Sequence, residues 1–242
     1  MLEINKIHQG DCLELMKEIP DKSVDMVLCD LPYGTTKNKW DTVIDLNLLW
    51  EQYERIIKDR GVIVLTAQTP FDKILGSSNI KLLKYEWIWI KEQGTGFLNV
   101  KKMPLKSSEN ILIFYKKQPV YNPQIIGNEK RVIKRISKPQ STTNYNFSMQ
   151  PEKSIYYGRY PNNVLKFKRD KGLHPTQKPV KLFEYLIKTY TDEDMLVLDN
   201  CIGSGTTAVA CLNTNRNFIG IELEEEYCKI ARERINKQSP NT

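Results

Sequence analysis

Val24-Asp25-Met26-Val27-Leu28-Cys29-Asp30-Leu31-Pro32-Tyr33-Gly34 joins an apolar run directly to an acid, a proline and an aromatic ring. A continuous apolar run predicts a buried strand, here ending at the acid. A carboxylate beside an aromatic ring offers a grip for a flat, amine-bearing substrate, such as a nucleobase taken out of its stack. The stretch therefore predicts a buried strand that ends at a site for a reaction on a nucleobase.

Strand-like and helix-like segments alternate on both sides of this stretch. On the amino-terminal side of a basic insert, the predicted order is helix 11–19, strand 24–29, helix 45–58, strand 61–66, helix 71–75, and strands 85–90 and 110–115. Beyond the insert it is helix 178–190, strand 195–199, helix 205–212, strand 217–222 and helix 224–235. This rhythm is typical of a doubly wound α/β domain with a mostly parallel sheet covered on both faces.

The composition narrows the class of protein. At 242 residues with 36 Lys+Arg against 29 Asp+Glu, the chain is long enough for one main domain and carries a net charge of +7. A basic balance favours anionic partners, with nucleic acid ahead of membrane. No apolar run approaches the roughly 20 residues of a membrane helix, and no signal pattern opens the chain, so we expect a cytoplasmic protein without a membrane partner. Five cysteines without a C-x-x-C pair, and two histidines, predict reduced thiols and no metal site.

The basic insert interrupts the α/β rhythm between roughly Lys116 and Gly172. From Lys116 to Lys171, thirteen Lys/Arg face three acids, so this segment is +10 and the remainder is 7 − 10 = −3. Aromatic rings are interleaved with those charges, at Tyr121, Tyr145, Phe147, Tyr156, Tyr157, Tyr160 and Phe167. Rings among cations suit base stacking plus phosphate contact, so the insert predicts nucleic-acid contact, with a solvated linker as the alternative.

A glycine-rich loop near the carboxyl end carries a second motif. Asp199-Asn200-Cys201-Ile202-Gly203-Ser204-Gly205-Thr206-Thr207-Ala208 follows a predicted strand and opens a helix. Glu222 ends the next predicted strand nineteen residues beyond Gly203, where an acid can accept hydrogen bonds from ribose hydroxyls. The order predicts a nucleotide-type pocket. The same letters fit Gly-x-Gly-x-x-Ala, so a dinucleotide-dependent dehydrogenase and a ligand-free turn stay open at this point.

Taken together, these residues resemble the β-class amino-group DNA methyltransferases, the permuted N6-adenine/N4-cytosine family in which a catalytic Asp-Pro-Pro-Tyr precedes the cofactor loop. Five motifs fall in the family's order across nearly the whole chain. They are His8-x-Gly10-Asp11-Cys12, Asp30-Leu31-Pro32-Tyr33, His174-Pro175-Thr176-Gln177-Lys178-Pro179, Asp199 to Thr207, and Gly220-Ile221-Glu222. Two departures are Leu31 in place of the first proline and Asp199-Asn200-Cys201 in place of Asp-Pro-Phe.

The resemblance implies a permuted, Rossmann-like fold, S-adenosylmethionine as cofactor and double-stranded DNA as partner. It implies a catalytic half at 1–117, a target-recognition insert at 118–173 and a cofactor-binding half at 174–242 of the same domain. Carried across, the family pattern assigns catalysis to Asp30, Leu31, Pro32 and Tyr33. In the same pattern, Asp11 and Cys12 would contact the cofactor's adenine, and Glu222 would contact its ribose. Asp199, Ser204 and Thr206 would surround its methionine end, and Gly203 and Gly205 would form the cofactor-binding loop. His174 and Lys178 would flank this pocket. A homodimer and a cognate restriction endonuclease stay open as further partners.

The chemistry implied is direct in-line methyl transfer to an exocyclic amine. Asp30 would accept one N–H, the Leu31 carbonyl the other, and Tyr33 would stack on the flipped base. No cysteine follows a proline, which disfavours methylation at ring carbon C5. The acid at position 30 resembles adenine-N6 members, with cytosine-N4 as the alternative. An NAD-dependent oxidoreductase and a non-catalytic DNA-binding relic are the alternatives from other classes.

Simpler structural roles compete with several of these assignments. Asp11 is also a good helix N-cap, and His174 and Lys178 could cap a helix and face solvent, respectively. Trp87 and Trp89 alternate on a predicted strand and are interpreted as core residues. Cys29 and Cys201 are interpreted as small packing groups.

Overall fold

An eight-stranded sheet forms the frame of the chain in a computed structural model that describes residues 2–34, 42–134, 153–170 and 177–238. The strands are Lys6–Gln9 (β1), Val24–Asp30 (β2), Ile57–Ala67 (β3), Leu83–Thr95 (β4), Lys106–Phe114 (β5), Ile126–Lys134 (β6), Lys153–Arg159 (β7), Val164–Lys166 (β8), Leu196–Asp199 (β9) and Asn217–Glu222 (β10). The helices are Cys12–Met16 (α1), Leu46–Ile56 (α2), Phe71–Ser78 (α3), Val180–Tyr190 (α4), Thr206–Leu212 (α5) and Glu225–Gln238 (α6), with a 3₁₀ turn at Phe97–Asn99.

The strand order of this sheet is β1-β10-β9-β2-β3-β5-β4-β8. β5 runs antiparallel to both of its neighbours, whereas the other neighbouring pairs are parallel. The predicted α/β fold with a mostly parallel sheet is confirmed. The chain leaves β9 toward β10 on one side and leaves β2 toward β3 on the other, so the sheet has its topological switch point between β9 and β2.

Two apolar layers cover the sheet, one on each face. Helices α1, α2 and α3 pack on one face, and α4, α5 and α6 pack on the other. Alternation along the strands divides their side chains between the layers: Val27 and Cys29 of β2 belong to the first, Met26 and Leu28 to the second. Burial on both faces explains why β2 is a continuous apolar run in the sequence.

Helix α2 shows how local sequence sets an element. Asp45 is its N-cap, and its carboxylate accepts hydrogen bonds from the amides of Asn47 at 2.8 Å and Leu48 at 3.2 Å. The buried residues of the helix are Leu49, Trp50, Tyr53 and Ile56, which is the spacing of one helical face. In the second layer, Trp87 and Trp89 are buried, so their interpretation as core residues is confirmed.

The chain forms two compact units, Met1–Asn122 with Asn163–Thr242, and Pro123–Asn162. The smaller unit contains β6 and β7, an antiparallel pair that the sequence pattern did not predict. The sequence placed the insert at 118–173, whereas β8 pairs with β4 and so belongs to the main sheet. Leu165 of β8 is buried there, and three residues are too few to show a periodic pattern. Among the described residues, no helix is long and apolar enough to cross a membrane.

Candidate active site

A cavity of about 980 Å³ opens at the switch point, where the carboxyl ends of β2 and β9 lie side by side. Ligands of open α/β sheets bind in this position because the loops leaving the two strands diverge there. Asp30 ends β2 and Asp199 ends β9, and both line the cavity. The fold therefore brings the two motifs, 169 residues apart in number, to one crevice.

Asp30 lies at the centre of a hydrogen-bond cluster. Its Oδ1 accepts the Tyr33 hydroxyl at 2.6 Å and the hydroxyl of Thr66, which is its register partner on β3. Its Oδ2 accepts the Lys178 ammonium at 2.6 Å. The Asp30 side chain keeps 26% of its surface exposed, so the carboxylate is held on three sides and stays open toward the cavity.

Lys178 joins Asp30 to a second, buried acid. Its Nζ lies 3.1 Å from Glu109 Oε2, in ionic contact without hydrogen-bond geometry. Glu109 Oε1 accepts the Lys91 ammonium at 2.6 Å and the Gln68 amide at 2.7 Å. Burial opposes the charge on both Lys178 and Glu109, yet the opposite charges win: the carboxylates raise the pKa of Lys178, and the two lysines lower the pKa of Glu109. The network is therefore charged and fixes the Lys178 ammonium against Asp30.

Tyr33 presents an aromatic surface beside the acid. Its ring stacks on Phe71 with a centroid distance of 5.3 Å and an interplanar angle of 28°, and Lys178 Nζ lies 5.5 Å from the ring centroid. Burial, together with the charge of Asp30, holds the pKa of the Tyr33 phenol well above its usual range. The phenol is therefore a hydrogen-bond donor to Asp30, and the ring is held in one orientation.

The glycine-rich loop is braced from within by Asp199. Its carboxylate accepts the Cys201 amide at 3.1 Å and the Thr207 hydroxyl of α5. Burial raises the pKa of Asp199 to about 7, although these hydrogen bonds favour the charged form. The carboxylate closes the turn from β9 to α5, so Asp199 shapes the loop as well as lining the cavity.

The two glycines of this loop have different surroundings. Gly203 has a φ of +52°, and a Cβ added there would meet no atom of the described residues within 4 Å. Gly205 has a φ of +84°, and an added Cβ would lie 3.0 Å from Ala231 of α6. Both positions favour glycine because their backbone is left-handed. Gly203 faces open space at the cavity, whereas Gly205 permits close packing of the loop on α6.

Two further acids, Glu222 and Asp11, line the cavity. Glu222 ends β10, and its Oε2 accepts the Gly203 amide at 2.8 Å while its Oε1 accepts the Glu224 amide at 2.9 Å. Burial raises the pKa of Glu222. Asp11 accepts the amides of Leu13 at 2.8 Å and Glu14 at 3.2 Å, so its N-cap role is confirmed, and it also lines the cavity.

Arg234 of α6 supports the loop from behind. Its guanidinium donates to the Ser204 carbonyl at 2.7 Å, to Ser204 Oγ at 3.2 Å and to Thr206 Oγ1 at 3.5 Å. Burial lowers the pKa of Arg234, and Asp170 opposes that shift. Ser204 and Thr206 are therefore held in place at the start of α5 by a cation that does not line the cavity.

A comparison with known families identifies the chain. The model of the N6/N4 methyltransferase family, described as DNA methylase, matches residues 24–233. The chain belongs to this family. It is thus a DNA methylase, and the match includes both the Asp30 cluster and the glycine-rich loop.

Individual relatives of this DNA methylase agree with the family match. The chain is 29% identical to the type II methyltransferase M1.MboII of Moraxella bovis over 100% of both chains. It is 27% identical to the DNA adenine methyltransferase YhdJ of Escherichia coli (strain K12), covering 98% of this chain and 84% of that protein. The crystal structure of an M1.HpyAVI–SAM complex superposes with a TM-score of 0.64 at 27% identity, covering 95% of this chain and 98% of that one.

Most of the site residues predicted from the sequence of the methylase lie together at the cavity. They are Asp11, Cys12, Asp30, Leu31, Pro32, Tyr33, Lys178, Asp199, Gly203, Ser204, Thr206 and Glu222. Gly205 does not line the cavity, because it faces α6. His174 lies outside the described residues. Lys178 lines the cavity and contacts Asp30 and Glu109. The alternative interpretation, that Lys178 faces solvent, is wrong because its side chain is buried.

Sequence reasoning missed three charged residues of the methylase site, namely Lys91, Glu109 and Arg234. Lys91 ends the run Trp87-Ile88-Trp89-Ile90 on β4, and Glu109 precedes an apolar run on β5. A buried charge in an apolar strand is costly unless it is paired. The position of Lys91 and Glu109 next to apolar strand residues is therefore the signal from which a buried ion pair could have been predicted. Arg234 lies in a polar helix where the sequence gives no comparable signal.

Proposed function

We propose that this DNA methylase transfers the methyl group of S-adenosylmethionine to the N6 amine of an adenine flipped out of duplex DNA. The observation that carries the proposal is the crevice between β2 and β9. There Asp30 and Tyr33 share one cavity with the glycine-rich loop and Glu222. An acceptor for an amine and a nucleotide-type pocket therefore open into the same space.

The cavity has room and suitable groups for the cofactor. Among the described residues, no atom lies within 4 Å of the point where a Cβ at Gly203 would project. Glu222, Asp11, Ser204 and Thr206 all line the same cavity. Glu222 would accept the ribose hydroxyls, and Ser204 and Thr206 would hold the methionine end. When bound, the cofactor supplies a methyl group on a positively charged sulfur. The M1.HpyAVI–SAM complex, with the same fold, supports this assignment.

Asp30 would hold the target amine through its remaining acceptor capacity. A carboxylate offers about four lone-pair sites, and the described residues fill two on Oδ1 and one on Oδ2. One site on Oδ2 is thus left for an N–H of the base. The Leu31 carbonyl would accept the second N–H, and Pro32 restricts Leu31 to an extended backbone that aims this carbonyl.

Tyr33 would stack on the flipped base, and the charged network would keep the acid in place. Phe71 fixes the Tyr33 ring from behind, so the ring is oriented before the base arrives. Lys178, held by Glu109, fixes Oδ2 of Asp30. Because the amine must be oriented before it can attack the methyl group, such prior positioning supplies much of the rate gain.

The choice of adenine rests on the acid at position 30 and on the relative named as an adenine methyltransferase. Cytosine N4 is the second candidate, because the family includes both amines. The smaller unit is proposed to contact the DNA sequence. In the antiparallel β6–β7 pair of this unit, Lys130 lies opposite Tyr157 and Arg131 lies opposite Tyr156, so cations are neighbours of exposed rings.

The test uses radiolabelled methyl groups and purified duplex DNA. We expect label from S-adenosylmethionine to enter DNA with the wild-type protein and not with Asp30→Ala, and digestion to nucleosides to yield N6-methyladenine. N4-methylcytosine as the product would show that the target is the N4 amine of cytosine, the second candidate. No label in any of several diverse DNAs, with tight binding of those DNAs, would contradict the proposal and favour a non-catalytic relic.

A further inference from the structure

The connection between β4 and β5 is an exposed apolar projection with basic flanks, here named the β4–β5 tip, residues 96–105. Five large apolar residues within it are exposed to solvent, at Phe97, Leu98, Val100, Met103 and Leu105. Leu98 is 99% exposed and Phe97 is 75% exposed. Single exposed apolar side chains are ordinary, but a cluster of this density marks an interaction surface.

The tip projects from the edge of the sheet that carries the active site. β4 is antiparallel to β5, and β5 is antiparallel to β3, so β4 runs in the same direction as β3 and β2. The carboxyl end of β4 therefore lies at the same edge as Asp30. Thr95, the last residue of β4, lines the same cavity as Asp30. The tip begins at the next residue, so its position is tied to the catalytic crevice.

The base of the tip is formed by paired strands, and the side chains at its end are exposed. Lys91 of β4 and Glu109 of β5 form a buried ion pair at 2.6 Å beside the cavity. Beyond them, Lys106 pairs with Thr95 after an irregularity in the register, and the tip follows. The pairing of β4 with β5 thus places the apolar residues of the tip beyond the edge of the sheet that carries the cavity.

The charges of the tip fit a polyanion. Lys101 and Lys102 lie between the apolar residues, Lys106 follows, and residues 96–106 contain no acid. Apolar side chains flanked by lysines match the way in which proteins insert a wedge between bases while cations contact the neighbouring phosphates. A base that leaves the stack for an active site also leaves a gap in the duplex.

We infer that the β4–β5 tip enters duplex DNA at the target base, with Phe97 and Leu98 filling the space that the flipped base vacates and Lys101 and Lys102 contacting phosphates. This inference rests on the proposed function, because it requires a duplex from which a base is removed. It assigns base opening to a segment outside the predicted target-recognition insert.

The test compares Phe97→Ala/Leu98→Ala with Ile80→Ala. Ile80 is 66% exposed and lies before the amino end of β4, at the opposite edge of the sheet, so its replacement removes exposed apolar surface away from the tip. Base opening is followed by the fluorescence of 2-aminopurine at the target position of a duplex that the wild-type protein recognises. We expect the double variant to open this duplex and methylate its adenine-containing equivalent about tenfold to a hundredfold less well, and Ile80→Ala to match the wild type.

A mispaired target base separates opening from chemistry. Because such a base is already weakly stacked, the double variant should recover most of its methylation on a duplex with a mismatch at the target. Lys101→Ala/Lys102→Ala should reduce the slope of log Kd against log salt by about 2, whereas Lys81→Ala should leave it unchanged. Thermal unfolding of each variant should match the wild type, since the tip lies outside the core.

Several outcomes would overturn the inference. One is a double variant that opens and methylates paired DNA like the wild type. Another is a wild-type dimer that the double variant converts to monomers with unchanged DNA opening, since the tip would then bind a second copy of the chain. Wild-type protein that opens DNA through the tip but transfers no methyl group would instead contradict the proposed function, so the two failures are distinguishable.

Discussion

Replacement of Lys178 by methionine separates two roles for this residue. The sequence predicted a flank of the cofactor pocket, whereas the structure shows the Lys178 ammonium 2.6 Å from Asp30 Oδ2 and 3.1 Å from Glu109 Oε2. Methionine keeps the length of the side chain and removes its charge. If Lys178 positions Asp30, Lys178→Met should slow methyl transfer and leave cofactor affinity nearly unchanged.

The size of the effect follows from the two ion pairs that the substitution removes. A hydrogen bond between charged groups contributes about 1.5–3 kcal/mol, which corresponds to a loss of roughly tenfold to 150-fold in kcat if the bond positions Asp30 in the transition state. Breaking a buried ion pair costs about 3–5 kcal/mol of stability. The cost here should fall at or below about 3 kcal/mol, because Glu109 keeps Lys91 and Gln68 and Asp30 keeps two hydroxyl donors.

Lys181→Met is the matched control. Lys181 also makes a 2.7 Å ion pair, with Glu184, but its side chain is 76% exposed, so its loss should cost no more than about 0.5 kcal/mol and leave kcat unchanged. Single-turnover methylation gives the rate, calorimetry with S-adenosylmethionine gives the affinity, and urea unfolding gives the stability. A tenfold weaker affinity for the cofactor with an unchanged rate would refute the positioning role and restore the role predicted from the sequence.

Two further predictions concern the glycine-rich loop. Burial raises the pKa of Asp199 from 3.8 to about 7, so between these pH values the folded form holds a proton that the unfolded form has lost. The resulting contribution to stability is complete below about pH 4 and is lost as the pH rises through 7. Asp199→Asn does not titrate, so its unfolding free energy minus that of the wild type should rise by up to about 4 kcal/mol between pH 4 and pH 8. Urea titrations measure this difference, and a difference that stays constant with pH would contradict the prediction. Gly203→Ala should weaken cofactor binding more than stability, because its Cβ enters the open cavity, whereas Gly205→Ala should lower Tm by crowding Ala231; calorimetry and thermal unfolding of both variants check this, and the reverse order would contradict it.

The parts of the fold that the sequence predicted are those with a local signal. The apolar run of β2, the alternation of strands and helices, and the glycine-rich loop each depend on neighbours in the chain, and each lies close to its predicted place. Short elements were missed for the same reason. β1 and β8 have four and three residues, and the β6–β7 pair depends on a cross-strand partner rather than on a pattern within either strand.

The site shows the same division. The motif residues were identified by type and spacing, but their partners come from distant parts of the chain: Lys178 reaches Asp30 across 148 residues, and Thr66 reaches it across 36. A single sequence does not show which charge pairs with which. Gly205 illustrates a further limit, because a left-handed glycine that packs on α6 and one that faces a ligand are alike in the sequence.

Single-molecule sequencing of DNA from cells that express the chain is the decisive test of adenine methylation that depends on Asp30. It measures the modified base and its sequence context together. With the wild-type protein we predict N6-methyladenine at one recurring sequence, and with Asp30→Ala we predict unmodified adenine at that sequence. Methylated cytosine would rule out adenine as the target base, and adenine methylation that persists in Asp30→Ala would rule out the role of Asp30.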